Sequence, residues 1–375
     1  MSIFLLILGL VLFVGLVVIH EWGHFIMARR GGVDVEEFGI GFPPKAKTLT
    51  KKNGTEYTLN WLPLGGFVRL KGEHDANKTK GSYGAAPLLT KVKIMVAGVV
   101  MNLVTAYVLL VLLALVGIPK LVDNQFAVTN NETITRQDVF IGYLEEGSPA
   151  EKAGLQCRDV IASIGQVDGP QHTIKTDEAL PKYTKEFAGQ KVLVQYRRDG
   201  ELKRTEVQLR STEEVEASKK TDNPKGYFGI SPGEFTVARY TWSAPVVAGG
   251  LMAQFTELTF KGLGSAVAGL FQGDTAKATE QVTGPVGIFV VLQQGSDLGI
   301  QFILFVIAII SLSLAIMNVL PIPALDGGRL FVTLIYRGLR RQLTEKAEDR
   351  IHGTGFALLM VLFVLITIVD VKRFF

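Results

Sequence analysis

Four long apolar runs limit this chain to architectures that cross a bilayer. Ser2 to Ile19 gives eighteen residues without a charge, Ile94 to Ile118 twenty-five, Ile300 to Leu320 twenty-one and Gly353 to Val369 seventeen. A helix needs roughly 17 to 25 apolar residues to span the hydrocarbon core, so all four qualify and the last sits at the short limit. The chain as a whole agrees: 48% of its 375 residues are hydrophobic and the mean hydropathy is +0.29, too apolar for an ordinary soluble enzyme. Ser243 to Phe255 is also uncharged, but it is shorter and Glu257 and Lys261 follow it, so it reads as interfacial or re-entrant. The opening run carries no A-x-A-like cleavage site and reads as a retained span.

Charge sets the expected orientation. Arg29 to Lys93 holds twelve Lys or Arg and Arg329 to Arg350 holds six, while the N-terminal flank holds none. Positive-inside bias places both loops in the cytosol and both termini outside; Lys372 and Arg373 run against the rule and are outvoted. The net charge of +4, with no basic stripe interleaved with aromatics, gives no reason to expect nucleic acid. The single Cys157 excludes an internal disulfide and a cysteine-based zinc site.

The first run ends in His20-Glu21-Trp22-Gly23-His24. A charged group costs roughly 2.5 to 3.5 kcal/mol at the centre of a span and less near its end, so such residues need a purpose. Positions four apart on a helix lie nearly over one another, so His20 and His24 can both face one metal ion while Glu21 reaches the space beside it. This is the logic of HExxH: two neutral histidines hold zinc and the carboxylate takes a proton from water. The plain alternative is a set of interfacial polar residues with no metal.

With the N-terminus outside, the first and third spans both run inward, so whatever ends the third span lies near the depth of HEWGH. It ends in Asn318-Val319-Leu320-Pro321-Ile322-Pro323-Ala324-Leu325-Asp326-Gly327-Gly328. Pro321 and Pro323 cannot continue a regular helix, and broken backbone at membrane depth is tolerated where it lines a cavity. Asp326 is thus the natural third ligand. Two histidines, a carboxylate and one open position describe a catalytic zinc site rather than a structural one.

At these residues the chain resembles the site-2 protease family of intramembrane zinc metalloproteases, in its bacterial form with PDZ domains. HEWGH matches in the first span, Asn318 to Gly328 matches NxxPxPxLDGG, and Gly98-Val99-Val100-Met101-Asn102 matches GxxxN. Pro63-Leu64-Gly65-Gly66-Phe67-Val68 in the first loop and Gly284-Pro285-Val286-Gly287-Ile288 before the third span also match. The resemblance implies zinc held by His20, His24 and Asp326, Glu21 as catalytic acid/base, and Asn102 and Asn318 contacting substrate or orienting ligands. Interhelical hydrogen bonds are the equal alternative for the two asparagines.

Glu56 to Leu62 alternates, and Phe67 to Leu70 resumes after Pro63 to Gly66, which reads as a hairpin. The family is thought to receive extended substrate on this membrane-associated β-loop by strand addition, which makes Gly65, Gly66 and Phe67 candidate substrate-binding residues. Between the second and third spans, Ser148-Pro149-Ala150-Glu151 reads as a helix start, Asp159 to Ile164 as a strand and Asp199-Gly200 as a hairpin turn. The run GSPAEKAGL to RDVIASI resembles one PDZ domain, a binder of extended peptides or free C-termini. Ser211 to Lys225 reads as a solvated linker, and Tyr227 to Pro232 as the start of the return to the membrane.

The expected fold is a polytopic α-helical membrane protein of four spans with a cytosolic β-hairpin and one inserted extracytoplasmic α+β PDZ domain. Its segments are a first span 1–30, a cytosolic loop 31–91, a second span 92–118, the PDZ domain and linker 119–225, and an interfacial segment 226–297. A third span 298–328, a cytosolic loop 329–352 and a fourth span 353–375 complete it. The expected activity is hydrolysis within the transmembrane segment of single-span proteins such as anti-sigma factors, at the inner membrane and near its cytosolic face. A non-proteolytic scaffold with a structural metal is the rival reading. A metal transporter is disfavoured, because polar residues gather at one depth instead of lining several spans.

Overall fold

The computed structural model describes residues 2–198, 200–220, 224–274 and 283–375. Its elements begin with α1 (Ser2–Arg30), β1 (Val35–Lys52), β2 (Thr55–Leu70), α2 (Leu88–Val116), β3 (Ile118–Lys120), β4 (Thr133–Leu144), α3 (Pro149–Lys152), β5 (Val160–Gln166) and β6 (Gln171–Thr173). They continue with α4 (Ala179–Glu186), β7 (Lys191–Arg198), β8 (Glu201–Gln208), α5 (Thr212–Ser218), β9 (Ile230–Arg239) and α6 (Ala244–Gln272). The last four are α7 (Pro285–Gly295), α8 (Ile300–Val319), α9 (Asp326–Gly338) and α10 (Glu345–Phe374). Two compact units result, one of Met1–Val116, Phe126–Val128 and Thr241–Phe375, the other of Gly117–Gln125 and Thr129–Tyr240.

In the first unit α1, α2, α8 and α10 are long and apolar enough to cross a membrane, and they carry the four runs. Glycine lets α1 and α2 approach closely: a Cβ at Gly23 would lie 2.6 Å from the Ala97 carbonyl oxygen. The stretch from Ser243 is longer than its uncharged run and is not one of these four helices. It enters a single 29-residue helix, α6, which runs through Glu257 and Lys261, two charges four apart that pair at 2.6 Å on one helix face. Met252 and Phe255 of α6 pack on Ala106 of α2 and on Leu312 and Ile316 of α8.

The first loop folds into a sheet that differs from the expected hairpin. Its tight turn is Asn53-Gly54, with φ of 53° and 79°, the pairing that a two-residue hairpin turn prefers. Glu56–Leu62 and Phe67–Leu70 are both extended, and the chain does reverse at Gly65, whose φ is 111°. They are not neighbours, because β1 lies between them. Phe38 pairs with Val68 on one side and Tyr57 on the other, and Gly39 with Phe67 and Thr58. Along Glu37 to Ile40 the partners Glu56 to Leu59 rise in step, whereas Arg69 to Gly66 fall. The buried Glu37 ties both flanks together, accepting from Thr58 at 2.7 Å and pairing with Arg69 at 2.7 Å. Lys45 to Lys52 then pairs outside Thr55 to Asn60, leaving that segment and Gly66–Leu70 as the two edges.

The second unit is a seven-stranded sheet of order β3-β9-β4-β5-β7-β8, with β6 on β5. Its core includes Val139, Ile141, Leu155, Ile161, Ile164, Val192 and Val194. Ser148 caps α3 by accepting the Glu151 N–H, with Pro149 in the first turn, and Gly154 follows at φ 80°. The strands β7 and β8 form an antiparallel pair as the sequence suggests; Asp199 of their turn lies outside the described residues. Two expectations change here. The segment from Ser211 carries α5, closed by a capping box between Ser211 and Glu214; Thr221 to Asn223 lie outside the described residues. The segment 226–240 belongs to this unit, since Phe228 joins its core and β9 pairs with β4 along its length.

Candidate metal centre

Three side chains from two helices converge inside the first unit. His20 and His24 lie on one face of α1, and Asp326 opens α9 after the break at Leu320 to Leu325. His20 Nε2 is 3.1 Å from His24 Nε2 and 3.0 Å from Asp326 Oδ2; His24 Nε2 is 3.1 Å from the same oxygen. Among the described residues this is the group of His, Cys, Asp and Glu side chains able to hold a metal ion. Both histidines are buried, at 7% and 6% exposure.

The outer ring nitrogens decide what the inner ones offer. His24 Nδ1 donates to the Ile94 carbonyl oxygen at 2.7 Å, which in the neutral ring puts the lone pair on Nε2. His20 Nδ1 faces the Asn102 side-chain amide at 3.2 Å. The Asn102 Oδ1 is buried without a partner, which favours the opposite amide orientation, with the oxygen accepting from a protonated Nδ1. Two imidazole lone pairs and a carboxylate oxygen then point at one another across about 3 Å. Three acceptors so placed repel unless a cation lies among them. A tetrahedral zinc with ligands at 2.0 to 2.1 Å has edges of roughly 3.3 Å, close to the triangle found here.

The neighbouring backbone leaves room for this triangle. A Cβ at Gly98 of α2 would fall 2.5 Å from His24 Nε2 and 2.7 Å from His20 Nε2, so only glycine fits beside the ligands. Behind Asp326, a Cβ at Gly327 would lie 2.3 Å from the Val319 oxygen, and one at Gly328 1.9 Å from the Ile322 oxygen. The missing side chains let the first turn of α9 fold against the broken backbone, with the positive end of its dipole at the carboxylate.

Glu21 sits next to the triangle, against the sheet edge. A Cβ on Gly66 would lie 3.6 Å from Glu21 Cγ, and the Val68 N–H lies close to the carboxylate. The edge strand is anchored at its far end by Glu73, which accepts the Leu70 N–H at 2.9 Å and faces Arg329 of α9 at 3.5 Å.

The structure therefore brings together His20, His24, Asp326, Glu21, Asn102 and Gly66. Phe67 belongs to the same edge strand, its ring lying over Gly39, and Gly65 forms the preceding bend. The contact found for the Asn318 amide is within its own helix, where it donates to the Leu314 oxygen at 3.0 Å. Sequence reasoning missed the Ile94 carbonyl and the Val68 N–H, because backbone groups leave no residue signature. Gly98 stands in the sequence as the first letter of GxxxN, a spacing that small-residue helix packing also produces.

The sequence model of peptidase family M50 matches residues 8–362. The chain belongs to peptidase family M50. It is 28% identical to the zinc metalloprotease RasP of Shouchella clausii, across 96% of this chain and 97% of that protein. It is 31% identical to a putative zinc metalloprotease of Clostridium perfringens, across 98% of both, and 27% identical to the regulator of sigma-W protease RasP of Bacillus subtilis, again across 98% of both. This M50 peptidase is a multi-pass membrane protein and a zinc metalloprotease of the site-2 kind, which disfavours the scaffold reading.

Proposed function

We propose that His20, His24 and Asp326 hold the zinc ion and that Glu21 is the general acid/base of peptide hydrolysis within a transmembrane substrate. The observation that carries this reading is the convergence of three acceptor atoms, 3.0 to 3.1 Å apart, with Glu21 beside them. Zinc, when bound, supplies Lewis acidity toward water and the scissile carbonyl. Glu21 takes the proton of the attacking water and returns it to the leaving amine. Asn102 fixes the tautomer and ring plane of His20, and the Ile94 carbonyl does the same for His24. Purified protein should contain close to one zinc per chain, and Asp326→Ala or His24→Ala should lose it. Native zinc content in either variant would sink the assignment.

A peptide bond in a helix is shielded by its own hydrogen bonds, so the substrate has to be extended before hydrolysis. The edge Gly66–Leu70 supports strand addition at that point, because β1 pairs with it on one side only and no strand pairs with it on the side that faces Glu21. Val68→Pro removes an N–H from that side. Cleavage of a transmembrane substrate should fall by about tenfold or more, since one lost hydrogen bond costs roughly 1 kcal/mol and misregister adds to it. Zinc content should not change, and native cleavage by this variant would argue against strand addition.

The substrates fitting this arrangement are single-span membrane proteins already shortened outside the membrane. The name of the Bacillus subtilis relative, a regulator of sigma-W protease, favours anti-sigma factors among them. The basic loops support an orientation with both termini extracytoplasmic and the site near the cytosolic face. For the second unit the reading is a PDZ domain that takes an extended peptide on β9. Its edge is covered by β3 only at Thr236 to Ala238, which leaves Ile230 to Phe235 for a ligand strand.

A further inference from the structure

Asp326 reaches the histidine pair only after the chain has turned sharply between the end of α8 and the start of α9. The Ile322 carbonyl accepts from Leu325 at 3.1 Å within that turn, and Ala324 is held at φ 83°. A residue with a Cβ seldom adopts this left-handed conformation, and it persists where surrounding structure enforces it. What enforces it is on the fourth span. His352 Nδ1 of α10 accepts the Ala324 N–H at 3.2 Å. Three residues on, Gly355 lies so close to the turn that a Cβ there would be 2.5 Å from Pro323 Cβ and from the Pro323 oxygen.

One turn earlier α10 is tied to the first loop, where Glu348 accepts the Asp75 N–H at 2.9 Å and Asp349 lies 2.8 Å from His74 Nε2; beyond Gly355 it touches little. Phe356, Leu358, Val361, Leu362 and Leu365 are largely exposed, and the next polar tie comes at Asp370, which accepts the Gly287 N–H at 2.8 Å. The His352 ring has no other anchor, since its Nε2 lacks a hydrogen-bond partner among the described residues. The ring thus makes one directional contact, and that contact falls two residues before Asp326.

We propose that His352 is a positioning residue for the third metal ligand: by accepting the Ala324 N–H it holds the left-handed turn that aims Asp326 at His20 and His24. The fourth span is thereby part of the apparatus that fixes zinc. This inference rests on the reading of Asp326 as a ligand.

The test uses the full-length protein in detergent, with two readouts: the rate at which zinc is lost to a chelator, and kcat and KM on a transmembrane substrate. Because outer-shell partners of a metal site typically contribute about 10- to 100-fold, His352→Ala should speed zinc loss and lower kcat by that order while KM holds. His352→Asn, whose side-chain oxygen can stand where Nδ1 stood, should keep most of both. Ala324→Gly removes the steric objection to the turn, so combining it with His352→Ala should recover zinc retention and kcat. A side chain needed only for packing or folding would not be rescued by a glycine in a turn outside its own helix. Native behaviour of His352→Ala overturns the proposal, and so does a defect that neither His352→Asn nor the double variant repairs. Asp326→Ala runs alongside. If it keeps zinc like the native protein, the ligand reading fails and takes this inference with it; if it loses zinc while His352→Ala does not, this inference alone fails.

Discussion

Glu21→Gln should reduce cleavage of a transmembrane substrate by about 10²- to 10⁴-fold, the range general acid–base catalysis supplies, with zinc retained. The expectation follows from placement. Glu21 is not one of the three converging atoms, so the amide leaves the metal triangle intact, and its shape preserves the contact with Gly66. What it removes is the ability to accept a proton from water and pass it on. The check is zinc analysis and a fluorescent-substrate assay on the same preparation. Loss of zinc together with activity would mean that Glu21 helps to bind the ion; retained activity would mean that another group handles the proton.

Gly98→Ala should be nearly as damaging by a different route. Alanine is the better helix former, so α2 itself should be undisturbed. The added methyl group, however, would meet His24 Nε2 at 2.5 Å and His20 Cε1 at 2.6 Å. These rings cannot yield easily, because Ile94 and Asn102 hold their outer nitrogens. Displacing ligands by 1 Å is enough to cost about 10²-fold in rate, so loss of zinc and a fall in cleavage of at least that size are expected. Circular dichroism should stay native. Full zinc occupancy in this variant would show that α2 can retreat from the ligands.

Much of this arrangement was legible before any coordinates. The four spans follow from uncharged length, and His20, Glu21 and His24 from a spacing that only a helix turns into a shared face. Asp326 could be placed by topology, since two spans entering from the same side end at the same depth. The first loop resisted because alternation shows which face a residue takes but not which strand lies beside it. Tyr57 and Val68 were read as arms of one hairpin, although Phe38 stands between them. Asn53-Gly54 is the turn dipeptide, while the proline- and glycine-rich stretch ten residues on gives the stronger turn signal by composition. In α6, Glu257 ends the uncharged run but not the helix, which accommodates it beside Lys261 on the same face. The span of the second unit was underestimated because β9 returns to the sheet after a charged stretch that looks like a linker. Contacts made by main-chain atoms, such as those of Ile94, Val68 and Ala324, could not be read from residue identities at all.

The four-segment sheet of the first loop has two borders, and they are defended unequally. Lys45, Lys47, Lys51 and Lys52 lie along the outer one, where positive side chains discourage another chain from docking. The border beside Glu21 offers Gly66, Phe67 and Val68 instead. If substrate docks on that second border, as proposed above, the lysines of the first would turn stray strands away from this sheet and leave one side for an incoming chain, so the same asymmetry would serve both solubility and the choice of the point of attack.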